Sequence, residues 1–104
     1  YNAALADLPW ITTPVLRNYA QSACHNYVIK TDYRDRLNLY LKEKNIATGV
    51  HYMPAHLHPI YQNTSVTLPV TDRVWRKLLT LPLYPDLTGE EMNQIITAIK
   101  NFVP

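Results

Sequence analysis

Cysteine occurs once in this 104-residue sequence, at Cys24, and glycine only twice, at Gly49 and Gly89. A single thiol excludes an internal disulfide and a zinc site built on cysteines. Two isolated glycines form no glycine-rich loop to cradle a phosphate, and no serine stands in a G-x-S-x-G elbow. No run approaches 18 uninterrupted apolar residues, and no basic stretch leads into an apolar one, so the sequence predicts neither a membrane-spanning helix nor a secretory signal. Charge of one sign is scarce as well. Ten Lys and Arg against eight Asp and Glu give a net charge of +2. The basic residues are scattered singly or in pairs, which provides no patch for nucleic acid or a lipid surface.

What is present is 47% hydrophobic and 17% charged content, the balance of a folded chain rather than a disordered one. The length suits one domain, residues 1–104, with a small core that buries roughly two-thirds of the unfolded surface. Stability is expected to be modest, and a partner domain would add to it. The opening segment, Tyr1 to Leu8, lacks an initiator Met and reads as the tail of an amphipathic helix cut from a longer chain. The lone thiol fits a reducing compartment, so the expected location is cytoplasmic.

Local signals divide the chain into elements. Pro9 and Pro14 bound a short extended stretch. Ser22 to Lys30 holds the β-favouring Tyr27, Val28 and Ile29 and predicts a strand. Asp32 is a candidate N-cap for a helix whose Tyr33, Leu37, Tyr40 and Leu41 share one stripe, ending near Asn45, a residue tolerant of left-handed backbone. Ile46 to Tyr52 predicts a second strand. Met53 to Pro69, with the turn signal Asn63-Thr64, reads as a long loop with at most one helical turn. Thr71 or Asp72 is expected to cap a helix through about Thr80, burying Val74 and Leu78, with Trp75 as a further candidate. A short strand over Leu79 to Tyr84 follows, with Pro82 placing it at an edge or an end. Thr88-Gly89-Glu90-Glu91 is a capping box opening a last helix, with Met92, Ile95, Ile96, Ile99 and Val103 as its apolar stripe. The sum is an α+β fold, a small and mostly antiparallel sheet with helices over one face.

Three of the four histidines fall between positions 51 and 58. Imidazoles there serve as acid, base, hydrogen-bond donor or metal ligand near neutral pH. His51, His56 and His58 could gather round a metal, although no Asp or Glu lies near in sequence to complete the set. They could equally bond locally within the loop, or face a substrate from a loop held by a rigid scaffold. Cys24 and His25 are neighbours on an expected strand and point to opposite faces, which opposes a nucleophile–base pair. The five aspartates, at 7, 32, 35, 72 and 86, read as caps, turns or solvated positions.

The stretch from Arg34-Asp35-Arg36-Leu37 through Leu41 to Asn45-Ile46-Ala47-Thr48-Gly49-Val50-His51-Tyr52 resembles the C-terminal region of the DegT/DnrJ-type sugar aminotransferases. Those enzymes carry a pattern close to R-D-x-L-x-x-x-L-x-x-x-G-I-x-T-x-x-H-Y. The likeness continues through His56 and Tyr61, then Leu68-Pro69-Val70-Thr71, then Leu81 to Glu91 against L-P-L-x-P-x-L-T-x-E-E. Upstream, Ser22 to Tyr27 is similar to the family's S-x-x-H-x-Y strand. The one departure, Asn45 where the family usually has Gly, keeps tolerance of positive φ.

The resemblance implies the small C-terminal domain of an enzyme whose large domain binds pyridoxal phosphate through a lysine. The parent would move an amino group, typically from glutamate, onto a nucleotide-linked keto sugar for cell-surface polysaccharide or lipopolysaccharide, usually as a homodimer. The short loop from His51 to His56 most resembles the branch acting on UDP-linked 4-keto sugars such as 4-amino-4-deoxy-arabinose precursors. By position, His56 matches the family histidine nearest the sugar nucleotide, with Tyr52, His51 and His25 as further candidates for substrate binding. Lysines 30, 42, 44, 77 and 100 match no cofactor-binding motif, so this stretch alone is expected to hold no cofactor and to transaminate nothing. Two other classes bear on the same residues. An RNA-binding module needs aromatics interleaved with basic residues on a strand, which this sequence lacks. A small regulatory or protein-interaction α+β domain would use the same elements, and only the register of the motifs argues against it.

Overall fold

The computed structural model describes residues 1–61 and 66–104; the Asn63-Thr64 turn signal lies outside the described residues. The elements run α1 (Asn2–Leu5), β1 (Tyr27–Lys30), α2 (Arg34–Glu43), two 3-10 turns (Ala55–Leu57 and Pro59–Tyr61), α3 (Pro69–Trp75), β2 (Leu78–Leu81) and α4 (Gly89–Lys100). This is an α+β fold. β1 and β2 pair antiparallel, with Tyr27 opposite Leu81 and Lys30 opposite Leu78. Single bridges flank the pair, Thr12 to Lys30 on one side and Gly49 to Thr80 on the other.

Side chains alternate along β2, so Leu79 and Leu81 share one face and Leu78 and Thr80 the other. The first face meets the core: Leu79, Leu81 and Ile29 of the sheet, Leu37 and Leu41 of α2, Ile95, Ala98 and Ile99 of α4, with Leu5 and Phe102. Each buried Leu or Ile contributes about 1.5–3 kcal/mol by leaving water. Leu37 and Leu41 of the α2 stripe and Ile95 and Ile99 of the α4 stripe are thus buried as their spacing predicts. Asn45 takes φ 59°, and the Ile46 N–H donates to the Leu41 carbonyl at 2.9 Å, closing α2. At α4 both arms of the capping box form: the Glu91 N–H donates to Thr88 Oγ1, and the Thr88 N–H to the Glu91 carboxylate at 2.8 Å.

Several boundaries differ from expectation. Residues 46–52 form no strand; only Gly49 reaches β2, through reciprocal bonds of 3.1 and 2.7 Å with Thr80. Asp32 does not cap α2, because its carboxylate lies 2.5 Å from Lys77 Nζ, and Tyr33 stands at the cap. α3 starts at Pro69 rather than at Thr71 or Asp72, since proline suits the first helical position, where no N–H is needed. It ends at Trp75 and buries no residue fully. The first strand is confined to its last four residues and the later one spans Leu78–Leu81, with Pro82 just past its end. Val103, placed on the α4 stripe by periodicity, is 77% exposed, because the helix stops at Lys100 and Phe102 turns inward instead. Phe102 lies 5.3 Å from Trp10 and 5.4 Å from Tyr40, ring centre to ring centre.

Candidate functional site

The face of β2 opposite the core carries the histidine segment. Gly49 pairs with Thr80, and two residues on, His51 Nδ1 lies 2.8 Å from the Thr80 hydroxyl. That contact gives the buried hydroxyl of Thr80 a partner, as a buried polar group requires. The His51 and Tyr52 rings meet edge to face at 4.8 Å. His51 is half-buried while Tyr52 is 73% exposed, and the two rings border different hollows. His51 shares a cavity of about 370 Å³ with Asn26, Thr48, Gly49 and Thr80. Tyr52 shares an apolar one of about 320 Å³ with Pro54, Val70, Val74, Trp75 and Leu78.

His56 sits in the first 3-10 turn, held by bonds from the Leu57 N–H to Pro54 O and from the His58 N–H to Ala55 O, both 3.0 Å. Its Nε2 lies 2.8 Å from Oδ1 of Asp72, in the first turn of α3. The His56 side chain is 12% exposed and that of Asp72 36%. His56 is thus largely enclosed, not the open loop residue its surroundings suggest, while Met53, Ile60 and Tyr52 do lie open to solvent. His58 is exposed, its Nε2 3.4 Å from the Met53 carbonyl. His25 is exposed just before β1, where Cys24 takes φ 52°. Only its neighbour Asn26 reaches the cavity that His51 borders.

Two residues of this arrangement escaped the sequence reading. Local signals place Asp72 at a cap or in solvent, and Thr80 where a helix gives way to the strand over Leu79 to Tyr84. The signal for Asp72 was Pro69: a helix starting there puts Asp72 one turn inside, with its carboxylate free to meet His56. His51 and His56 are engaged by separate partners, and among the described residues no three His, Cys, Asp or Glu side chains gather to hold a metal.

Among the described residues, no lysine has the surroundings that pyridoxal phosphate requires. Such a site needs a lysine to bond the cofactor and an acid for its ring nitrogen. Lys30 and Lys77 border an open groove of about 560 Å³ whose single carboxylate, Asp32, already pairs with Lys77. Lys44 lies over the Tyr40 ring at 4.9 Å, and Lys42 and Lys100 are exposed on helices. Among the described residues no helix is long and apolar enough to cross a membrane.

Comparison with known proteins gives the same direction. The chain is 33% identical to the erythromycin biosynthesis sensory transduction protein EryC1 of Saccharopolyspora erythraea, over 96% of its own length and 28% of that protein's. It is 28% identical to the spore coat polysaccharide biosynthesis protein SpsC of Bacillus subtilis, over 99% and 29% of the two lengths. Its backbone is similar to that of S. venezuelae DesV, solved in complex with a ketimine intermediate, with a TM-score of 0.89 and 30% identity, covering 99% of this chain and 30% of that one. The chain therefore spans about three-tenths of the length of these relatives. Residues 1–100 match the family model of the DegT/DnrJ/EryC1/StrS aminotransferases, and the chain belongs to that family.

Proposed function

We propose that residues 1–104 form one small domain of a longer pyridoxal-phosphate aminotransferase, and that its part in the reaction is to hold a nucleotide-linked keto sugar. The reading rests on one observation: Asp72 holds the largely enclosed ring of His56, the residue that the sequence resemblance puts nearest the sugar nucleotide. A hydrogen-bonding side chain fixed by a second residue is what positioning a polar substrate requires. Spore coat polysaccharide and erythromycin biosynthesis, in the names of SpsC and EryC1, favour a sugar destined for a glycan or glycoside. The short span between His51 and His56 makes a UDP-linked 4-keto pentose the first sugar to test, and glutamate is the first amino donor.

The cofactor, which supplies the electron sink, is held by the rest of the longer protein, which works in the cytoplasm as a homodimer. The exposed apolar residues Tyr52, Met53, Ile60 and Val70 fit a face covered by that remainder. The test is His56→Ala in the full-length protein. Binding of the sugar nucleotide should weaken by about 0.5–3 kcal/mol, the range spanning a neutral and a charged hydrogen bond. The amino-donor half-reaction and the cofactor's absorbance should be kept. An unchanged sugar half-reaction would reduce His56 to a structural role, and loss of cofactor absorbance would make it a cofactor residue instead.

A further inference from the structure

We infer that Asp72 is a positioning residue that fixes the tautomer of His56, so that His56 meets its substrate through Nδ1 as an acceptor for a sugar hydroxyl, and not as a donor to the diphosphate. The inference rests on the reading of His56 as a substrate contact and deepens it.

A carboxylate only accepts, so the nitrogen 2.8 Å from Asp72 Oδ1 carries the proton. Both partners are tied to backbone. Asp72 donates its N–H to the Leu68 carbonyl at 2.9 Å in the first turn of α3, and His56 lies within a 3-10 turn closed at both ends. The pair therefore joins two elements 16 residues apart, each with its backbone held in a hydrogen-bonded turn. With the His56 side chain only 12% exposed, bulk water does not compete freely for the ring. Nδ1 has no partner among the described residues. A neutral imidazole with its proton on Nε2 offers a lone pair at Nδ1. In that neutral form the atom takes a bond from a hydroxyl and has nothing to give a phosphate oxygen. Carboxylates that orient a histidine in this way fix ring orientation and tautomer in metal sites by the same geometry.

The experiment uses full-length protein labelled with ¹⁵N-histidine, with Asp72→Ala and Asp72→Asn as variants and a UDP-linked sugar and UDP alone as probes. Wild type should show His56 as the Nε2–H tautomer. Asp72→Ala should give a mixture of tautomers and weaken the UDP-linked sugar about tenfold, leaving UDP alone within about twofold. Asp72→Asn, whose amide oxygen still accepts from Nε2–H, should keep both tautomer and affinity. A wild-type Nδ1–H tautomer overturns the inference without need of any variant, as does equal weakening of UDP and UDP-sugar. A retained tautomer in Asp72→Ala also overturns it. If the tautomer shifts as expected but neither Asp72→Ala nor His56→Ala changes sugar binding, the positioning holds and the substrate-contact reading fails.

Discussion

The His51 ring lies folded back on Gly49: a Cβ built on the glycine would stand 2.9 Å from the ring's Cε1 and 3.4 Å from Nδ1. Gly49 therefore leaves the ring the space it occupies, and the same ring nitrogen is the one bonded to Thr80. The glycine, the histidine and the threonine form one closed contact at the point where the chain pairs with β2.

Gly49→Ala should push the ring away rather than the backbone, because the nearest atom is at the far end of a side chain. The His51–Thr80 bond would go, at a cost of about 0.5–1.5 kcal/mol. Thr80→Val removes the same bond from the other side. In a double-mutant cycle read by urea unfolding, the two losses should be non-additive. Full additivity would show that the contact is not shared.

At α4, burial separates residues that periodicity had grouped. Ile99 is fully buried and Ile96 half-buried, whereas Val103 is exposed. Ile99→Ala should cost about 2–5 kcal/mol, Ile96→Ala less, and Val103→Ala no more than about 0.5 kcal/mol. Thermal melts ranking Val103 with Ile99 would contradict the observed end of the helix.

The capping box has a pH signature. The Thr88 N–H, and then the Thr88 hydroxyl, hold the Glu91 carboxyl below its ordinary value of 4.5. A depressed carboxyl stabilises the fold fully above that ordinary value and loses its contribution as pH falls through the lower folded one. Glu91→Gln should therefore differ from wild type at pH 7, and the difference should vanish in acid. Thr88→Ala should cost about 1 kcal/mol at neutral pH. A Glu91→Gln difference that persists unchanged at low pH would mean that ionisation of Glu91 is not what the cap uses.

The capping box, the α2 stripe and the Asn45 turn were legible in the sequence because each is decided within a few residues by side chains acting on their own backbone. The strand expected over 46–52 was not, because a strand needs a partner and only Gly49 finds one. Ile46, Val50 and Tyr52 have the right propensity, but propensity carries no information about pairing. His56, His51 and Tyr52 could be named from motif register. Asp72 and Thr80 could not, since each meets its histidine only after α3 and β2 have been placed.

The last prediction concerns the cofactor and this chain alone. A lysine that binds pyridoxal phosphate productively is singled out from the others by its surroundings: an enclosed site, an acid for the ring nitrogen, donors for the phosphate. Here Lys30, Lys42, Lys44 and Lys100 are exposed, and Lys77 is paired with Asp32, the only acid among the described residues of the groove that Lys30 and Lys77 border. Their reactivity should therefore differ little. Incubating the chain with pyridoxal phosphate, reducing with borohydride and mapping the product by mass spectrometry should give partial labelling spread over the exposed lysines. Lys77 should be labelled least, because bonding its nitrogen requires breaking the Asp32 pair, and Asp32→Asn should raise its share toward that of the others. One lysine labelled to completion while the rest stay free would reveal a cofactor site within these residues, and the division of labour proposed here would have to be abandoned.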